Sequence, residues 1–437
     1  TGRSARRSTV SGVPDPDALL AALDPEQRAV ATAFGAPVAV IAGAGTGKTR
    51  AITHRIAYGC ATGAYDPFAV LAVTFTTRAA GELRGRLRGL GFPRVQARTF
   101  HSAALRQAQY FWPAAMGHEL PRVSDHRAGM MAEAAGRLLG QRAESGTLRD
   151  LLTEISWAKV SNVPPADYAE LAIAGGREVA AIDPTGVGRI YDRYERLKVD
   201  RGVIDFDDVL LCTVALLSDH DDVRAQVRRT YRHLVVDEYQ DVSALQGTLC
   251  EEMAARCGSL TCVGDDAQSI YSFRGADFEQ IGAFRRRHPD ARVLKLTVNY
   301  RSTPEVLALS NRSIARNGSG HAKELVAIKH SGMRPAVIPL RDVYQQAEFV
   351  AQRVLELHHE QNLPLSKLAV LYRNHSHSLE LQVELTRRQI PYAIRSGLRF
   401  FEQAHIKDVV AYLRAHDNPR DQLAWVRLLK QWPGIGA

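Results

Sequence analysis

Between residues 25 and 105, short apolar runs alternate with helical stretches. "PVAVIAG" precedes a helix predicted from Lys48, "FAVLAVTF" precedes "TTRAAGELRGRLRGL", and "RVQARTF" precedes "HSAALRQAQYF". That alternation predicts a parallel sheet wrapped by helices. From 106 to 204 the strand-like runs vanish and helical periodicity takes over, as in "AGMMAEAAGRLLGQRA" and "LRDLLTEISWAKV", which predicts a helical insertion. The α/β pattern resumes with "HLVVDEYQD" and "SLTCVGDD". A second α/β series is predicted from 291, with "ARVLKL", "PAVIPL", "LAVLYRN" and "PYAIRS" as strands between helices such as "YQQAEFVAQRVLELHHEQ". Two α/β domains follow: one from 23–105 and 205–290, split by the insertion 106–204, and one from 291–415.

Composition sharpens this picture only in places. With 437 residues and 45% apolar content, the chain is long and apolar enough for several packed cores, and a disordered chain is excluded. The net charge of +9 suits a polyanionic partner, most simply nucleic acid. The surplus is mostly Arg in an Ala-rich chain, which codon usage alone also produces, so charge does not choose the partner. Cys60, Cys212, Cys250, Cys257 and Cys262 show no CxxC pairing and read as reduced, mostly buried thiols of a cytosolic protein. No run reaches the length of a membrane span and no signal peptide is visible, so a cytoplasmic location is expected. Residues 1–22 open with "TGRSARRSTVSG" and read as a disordered basic tail that lacks Met.

The candidate chemistry starts at "AGAGTGKT", residues 42–49, which fits G-x-x-x-x-G-K-T with Ala42 in place of the first glycine. Gly43, Gly45 and Gly47 let the backbone turn its N–H groups, with those of Ala44 and Thr46, toward phosphate oxygens. The helix that follows adds its positive dipole end. Lys48 suits the β/γ-phosphates of a nucleotide and Thr49 suits Mg²⁺. A phosphate cradle of this kind needs an acidic partner, and the apolar run ending in Asp237 and Glu238 supplies it. Asp237 is read as holding Mg²⁺ through its waters and Glu238 as the base for the attacking water. Two adjacent carboxylates repel, and a nearby cation offsets that cost. ATP with Mg²⁺ is therefore the expected ligand pair; what its hydrolysis drives is not set by these two motifs.

Further motifs bring a resemblance. "VVDEYQD" at 235–241, "VGDDAQSIYSFRGA" at 263–276 and "LTVNYRS" at 296–302 resemble motifs of the UvrD/Rep/PcrA group of superfamily-1 DNA helicases. "LDPEQRAV", "AVTFTTRAAGELRGRL", "ARTFHS" and "GLRFFEQAHIKDVVAYLR" extend that resemblance over nearly the whole chain from Leu23 onward. It implies two RecA-like P-loop domains, the second incomplete, and a second helical insertion opening at 416–437. It implies an ATP-dependent helicase or translocase acting on single-stranded DNA and duplex–single-strand junctions, 3′ to 5′, in DNA repair or replication, with DNA repair proteins as partners. By resemblance, Gln27 reads the adenine edge, Arg50 contacts the base, Gln268 links the γ-phosphate to DNA, and Tyr300 stacks on adenine. Arg301 resembles an arginine finger from the second domain, and a guanidinium suits the charge on a transferring phosphoryl group.

For DNA, the resemblance implies base pockets at Phe75, Phe100, Tyr271 and Phe273, the last standing where the family usually has Trp. Thr76, Arg78, His101 and Arg274 are implied to contact the DNA backbone or link DNA to ATP, Arg78 replacing the common Lys. The pair His375-x-His377 lacks further ligands and is not read as a metal site. "DFDDVLL" at 205–211 is read as capping and docking rather than catalysis. Two later family motifs, one carrying a second arginine finger, do not appear before Ala437. A fragment of a longer protein is thus expected, one that binds ATP but turns it over slowly. The alternatives are a DNA-binding ATPase without unwinding and a helicase–nuclease subunit; the latter needs a nuclease domain.

Overall fold

Five consecutive buried residues form β1 (Val38–Ala42), and the same holds for β2 (Val70–Thr74). The remaining strands are β3 (Gln96–Thr99), β4 (Arg122–Val123), β5 (Val203–Ile204), β6 (His233–Val236), β7 (Leu260–Gly264), β8 (Arg292–Leu296), β9 (Val298–Asn299) and β10 (Val326–Ala327). This computed structural model describes residues 14–140, 143–179, 182–254, 260–272, 275–277, 279–317, 323–395, 404–432 and 435. Two compact units divide the chain, one ending at Pro335 and the other starting at Ala336.

The first unit is built on a six-stranded parallel sheet in the order β3-β2-β6-β7-β1-β8. Its inner strands β1, β2, β6 and β7 bury both faces, as parallel strands do under helices, while the edge strands β3 and β8 are partly exposed. Ala39, Ile41, Leu71, Val73 and Val236 point into one core with Phe100, Ala104, Leu210, Leu249 and Phe284. Val38, Val40, Val70, Ala72 and Val235 point into the other with Ile52, Ile56, Leu83 and Leu87. Each such side chain contributes about 1.5–3 kcal/mol relative to exposure, so the sheet fixes the loops that leave it. Those loops follow β1, β6 and β7 at their carboxyl ends, where open α/β sheets hold ligands. The expected α/β class with a RecA-like parallel sheet is thus present.

Several sequence-based boundaries move. "ARVLKL" was expected to open a second sheet, yet β8 pairs with β1 and Leu296 packs with Val38 and Val40. Tyr300 and Arg301, expected on the second domain, lie within the compact unit that ends at Pro335. The insertion starts later than 106, because the helix Phe100–Met116 places Phe100, Ala103, Ala104 and Phe111 on the sheet. Residues 16–22, read as tail, include the helix Pro16–Ala21, which Asp15 caps and whose buried Leu19 ties it to the sheet core; 1–13 lie outside the described residues.

The insertion has its own core, in which Met131, Leu151, Ile155, Ala158, Tyr168 and Ile190 are buried together. It joins the sheet domain through buried charge. Lys159 Nζ donates to Asp205 Oδ2 and Asp208 Oδ1, both at 2.7 Å, and Lys198 also pairs with Asp208. Asp205 Oδ1 accepts from the N–H groups of Asp207 and Asp208 at 2.9 and 3.0 Å, so it, rather than Asp207, caps the helix Asp208–Asp219. This is the expected capping and docking role of "DFDDVLL". Among the described residues, Glu195, Asp205 and Asp208 alone bring three ligating groups together, and Lys159, Lys198 and Arg127 already stand against their charge. Lys159→Ala leaves buried carboxylates short of one counter-charge while Lys198 and Arg127 stay beside them. A loss of about 3 kcal/mol is expected, read from the urea midpoint by circular dichroism. An unchanged midpoint would show that the network adds nothing to stability.

In the second unit, Ala351, Leu385 and Ile390 form one small core and Ala411, Ala415, Ala424 and Leu428 another. "PAVIPL", "LAVLYRN" and "PYAIRS", expected as strands, carry no ladder among the described residues. Pro335 and Pro339 lack N–H donors, and Val337 and Leu371 are each 94% exposed, so no neighbouring face holds these runs in a sheet. "GLRFF" lies outside the described residues.

Candidate nucleotide-binding and hydrolysis site

The helix Lys48–Ala61 begins without a side-chain cap, and its N-cap Gly47 has φ +81°. Its first N–H groups are therefore left to a ligand. Gly45 has φ +75°, and a Cβ there would lie 2.6 Å from Asn299 Nδ2 and 2.7 Å from Arg301 Cβ. At Gly47 a Cβ would lie 2.7 Å from Gln27 Nε2. Thr46 Oγ1 donates to the Gly43 carbonyl at 2.8 Å and closes the turn. The buried Gln27 donates from Nε2 to the Thr46 carbonyl at 3.0 Å, so the cradle rests on the helix Pro25–Thr32. Asn299 fastens the other side: its Nδ2 donates to the Ala44 carbonyl, and its Oδ1 accepts from the N–H groups of Arg301 and Ser302 at 2.9 and 2.7 Å.

Beside this turn is an open cavity of about 380 Å³ lined by Ala22, Asp24, Gln27, Gly45, Gly47, Arg50, Arg86, Tyr300 and Arg301. Asp24 spans it, accepting from Gln27 N through Oδ1 and from the Tyr300 hydroxyl through Oδ2. Partial burial and that hydrogen bond push the Tyr300 phenol up to about 12. Arg50 donates to the Ala22 carbonyl. Asp24, Arg86 and Asn299 were not singled out from the sequence. "NYRS" contains Asn299, but its support of the cradle depends on a contact 255 residues away in the chain.

The acidic half lies at the end of β6. Lys48 Nζ and Glu238 Oε2 are 2.6 Å apart. Burial would raise the Glu238 carboxyl, but the Lys48 charge and hydrogen bond outweigh it and hold the group below the usual range. Burial first, and the Glu238 charge second, push Asp237 up to about 6. Glu238 has φ +54°, a left-handed conformation uncommon for a non-glycine residue and of the kind that gathers at functional sites. Gln268 donates through Nε2 to Asp265 at the end of β7, and Lys323 pairs with Asp265 and Asp266. A glycine cradle, an open helix terminus, a lysine, a hydroxyl at Thr49 and a buried carboxylate at Asp237 form a donor set that fits a magnesium nucleotide.

Residues 23–289 match the UvrD/REP helicase N-terminal domain, and residues 294–436 match the UvrD-like helicase C-terminal domain. The chain belongs to the UvrD-like helicase family. It is 40% identical over 413 residues to the ATP-dependent DNA helicase UvrD2 of Mycobacterium tuberculosis (strain ATCC 25618 / H37Rv), covering 91% of this chain and 58% of that protein. To UvrD1 of the same strain it is 36% identical, with 94% and 55% covered, and to PcrA of Bacillus subtilis (strain 168) 32%, with 96% and 56% covered. It thus spans a little over half the length of these relatives.

On the DNA side suggested by the UvrD resemblance, the residues scatter in burial. Phe75 is half-buried and meets Phe100 edge-on at 5.8 Å. Phe100 is 2% exposed in the sheet core, so it backs Phe75 and presents no face of its own. Thr76 caps the helix Thr77–Gly89 by accepting from Ala79 N at 3.1 Å, and Arg78 is exposed on that helix's first turn. Tyr271 is exposed, while Phe273 and Arg274 lie outside the described residues. His101 stacks at 4.0 Å on Phe206, and burial pushes its imidazole down. Phe206 is 52% exposed and was not singled out from the sequence. No described helix is long and apolar enough to cross a membrane.

Proposed function

We propose that the first unit of this chain is the ATP-hydrolysing half of a DNA motor. The observation that carries this reading is the 2.6 Å contact between Lys48 at an uncapped helix terminus and Glu238 at a strand end, 190 residues apart in sequence. Gly43 to Gly47 would hold the phosphate chain, with the Tyr300 ring and the Gln27 and Arg50 side chains around the base. Thr49 and Asp237 would hold Mg²⁺, which when bound neutralises phosphate charge. On nucleotide binding Lys48 exchanges the Glu238 carboxylate for phosphate oxygen. Glu238, released, orients the attacking water and accepts its proton. Arg301 faces the developing charge, and Gln268 reports it to the segment carrying Tyr271.

Translocation on single-stranded DNA, unwinding at duplex junctions, 3′ to 5′ polarity and a role in repair or replication are proposed from the UvrD resemblance and the relatives' names. The partly buried Phe75 and the exposed Tyr271 suit sequence-tolerant stacking. Binding of a labelled oligo-dT, followed by anisotropy, should weaken as salt rises, with a log–log slope of about −0.7 per phosphate contacted. Salt-insensitive binding, or preference for intact duplex, would contradict this. A strand-displacement assay separates a helicase from a DNA-stimulated ATPase that does not unwind.

A further inference from the structure

Gln240 lies two residues beyond Glu238, is 2% exposed, and was not among the candidate residues. Its Nε2 donates to Glu238 Oε2 at 2.9 Å and to Asp241 Oδ2 at 3.3 Å. Its Oε1 accepts from Asp265 N at 2.9 Å, and its backbone carbonyl accepts from Ser269 Oγ at 3.2 Å. One side chain and one carbonyl therefore bind the Glu238 carboxylate to both ends of the turn that carries Gln268. The last residue of β7 is shaped for this contact. A Cβ on Gly264 would lie 2.7 Å from Gln240 Oε1 and 3.0 Å from Gln240 N, so glycine there lets the amide reach Asp265. Asp265 in turn accepts from Gln268 Nε2.

We infer that Gln240 is a positioning residue for hydrolysis, which fixes the Glu238 carboxylate and the Gln268 turn as one rigid unit. Satisfaction of buried groups accounts for the bond to Asp265 N, since Gln240 is 2% exposed, but not for the one to Glu238. The Glu238 side chain is 38% exposed, and water can solvate it. The amide hydrogen bond therefore sets the direction of the carboxylate rather than rescuing a buried acceptor. Only a side chain that donates at one end and accepts at the other can serve Glu238 and the Asp265 N–H together. The inference rests on the proposed roles of Glu238 and Gln268.

The test is phosphate release by the full chain with saturating single-stranded DNA, across ATP concentrations, for Gln240→Met, Gln240→Glu and the reference Glu238→Gln. Met keeps the length and removes both polar ends; Glu keeps the acceptor for Asp265, loses the donor to Glu238 and adds a charge that repels it. Both Gln240 variants should lower kcat by about tenfold while KM for ATP stays within about twofold, the pattern of a lost orienting contact. If Gln240→Met does not fold, Gln240→Glu reads the loss of that contact together with repulsion of the Glu238 carboxylate. Wild-type kcat in a folded Gln240 variant, or a rise in KM with kcat unchanged, would overturn the inference. Glu238→Gln separates the two failures: if it stops turnover while the Gln240 variants match wild type, the inference alone falls. If it turns over normally, the proposed base falls, and the inference with it.

Discussion

Lys48→Ala should reduce ATP turnover to background, a loss of about 10²- to 10³-fold, with the fold retained. The side chain is only 11% exposed and sits over the one uncapped helix terminus of the cradle, so its charge acts where water screens it little. Removing a group that stabilises developing charge in such a site typically costs 10²- to 10³-fold. A second loss adds to it, because Glu238 then keeps its negative charge beside Asp237 without a counter-ion. Nucleotide affinity should fall as well, measured with a fluorescent ATP analogue in the presence of Mg²⁺. Circular dichroism checks the fold, since the helix Lys48–Ala61 is held by Ala51, Ile52, Ile56 and Ala57 and not by Lys48. Unchanged turnover would remove the phosphate-cradle assignment.

Glu238→Gln should separate binding from chemistry. The amide keeps the shape and removes the proton acceptor, so turnover should fall by about 10²- to 10⁴-fold. Analogue binding should persist, because the cradle of Gly43 to Gly47 is held by Gln27, Thr46 and Asn299 rather than by Glu238. The same variant weakens the salt bridge that occupies Lys48, which frees the ammonium for phosphate. Affinity equal to or above wild type, with little hydrolysis, is the expected pair of results. Lost binding would make Glu238 structural.

The cradle and the acidic strand end were legible in the sequence because each is local. Glycines at fixed spacing, a lysine after them and carboxylates after an apolar run carry their chemistry in the order of residues. The parallel sheet was legible for the same reason: the runs at 38–42, 70–74 and 233–236 are short, apolar and followed by helices. What escaped depends on contacts distant in sequence. Asn299 joins Ala44, Gln240 joins Asp265, and Asp24 joins Tyr300; no spacing rule announces such pairs. β8 was assigned to the wrong sheet because "ARVLKL" reads as a strand in either context, and only its pairing with β1 decides. Phe100 shows the converse error: an aromatic beside a motif reads as a binding face, while its position on the helix Phe100–Met116 turns it into the core.

The most direct measurement is phosphate release from ATP by this chain, with and without an oligo-dT strand, with Lys48→Ala alongside. The expected result is Mg²⁺-dependent release that single-stranded DNA raises above its DNA-free rate, and that Lys48→Ala abolishes under both conditions. Release that ignores single-stranded DNA, or that survives Lys48→Ala, would contradict the proposal that this cleft hydrolyses ATP in step with DNA.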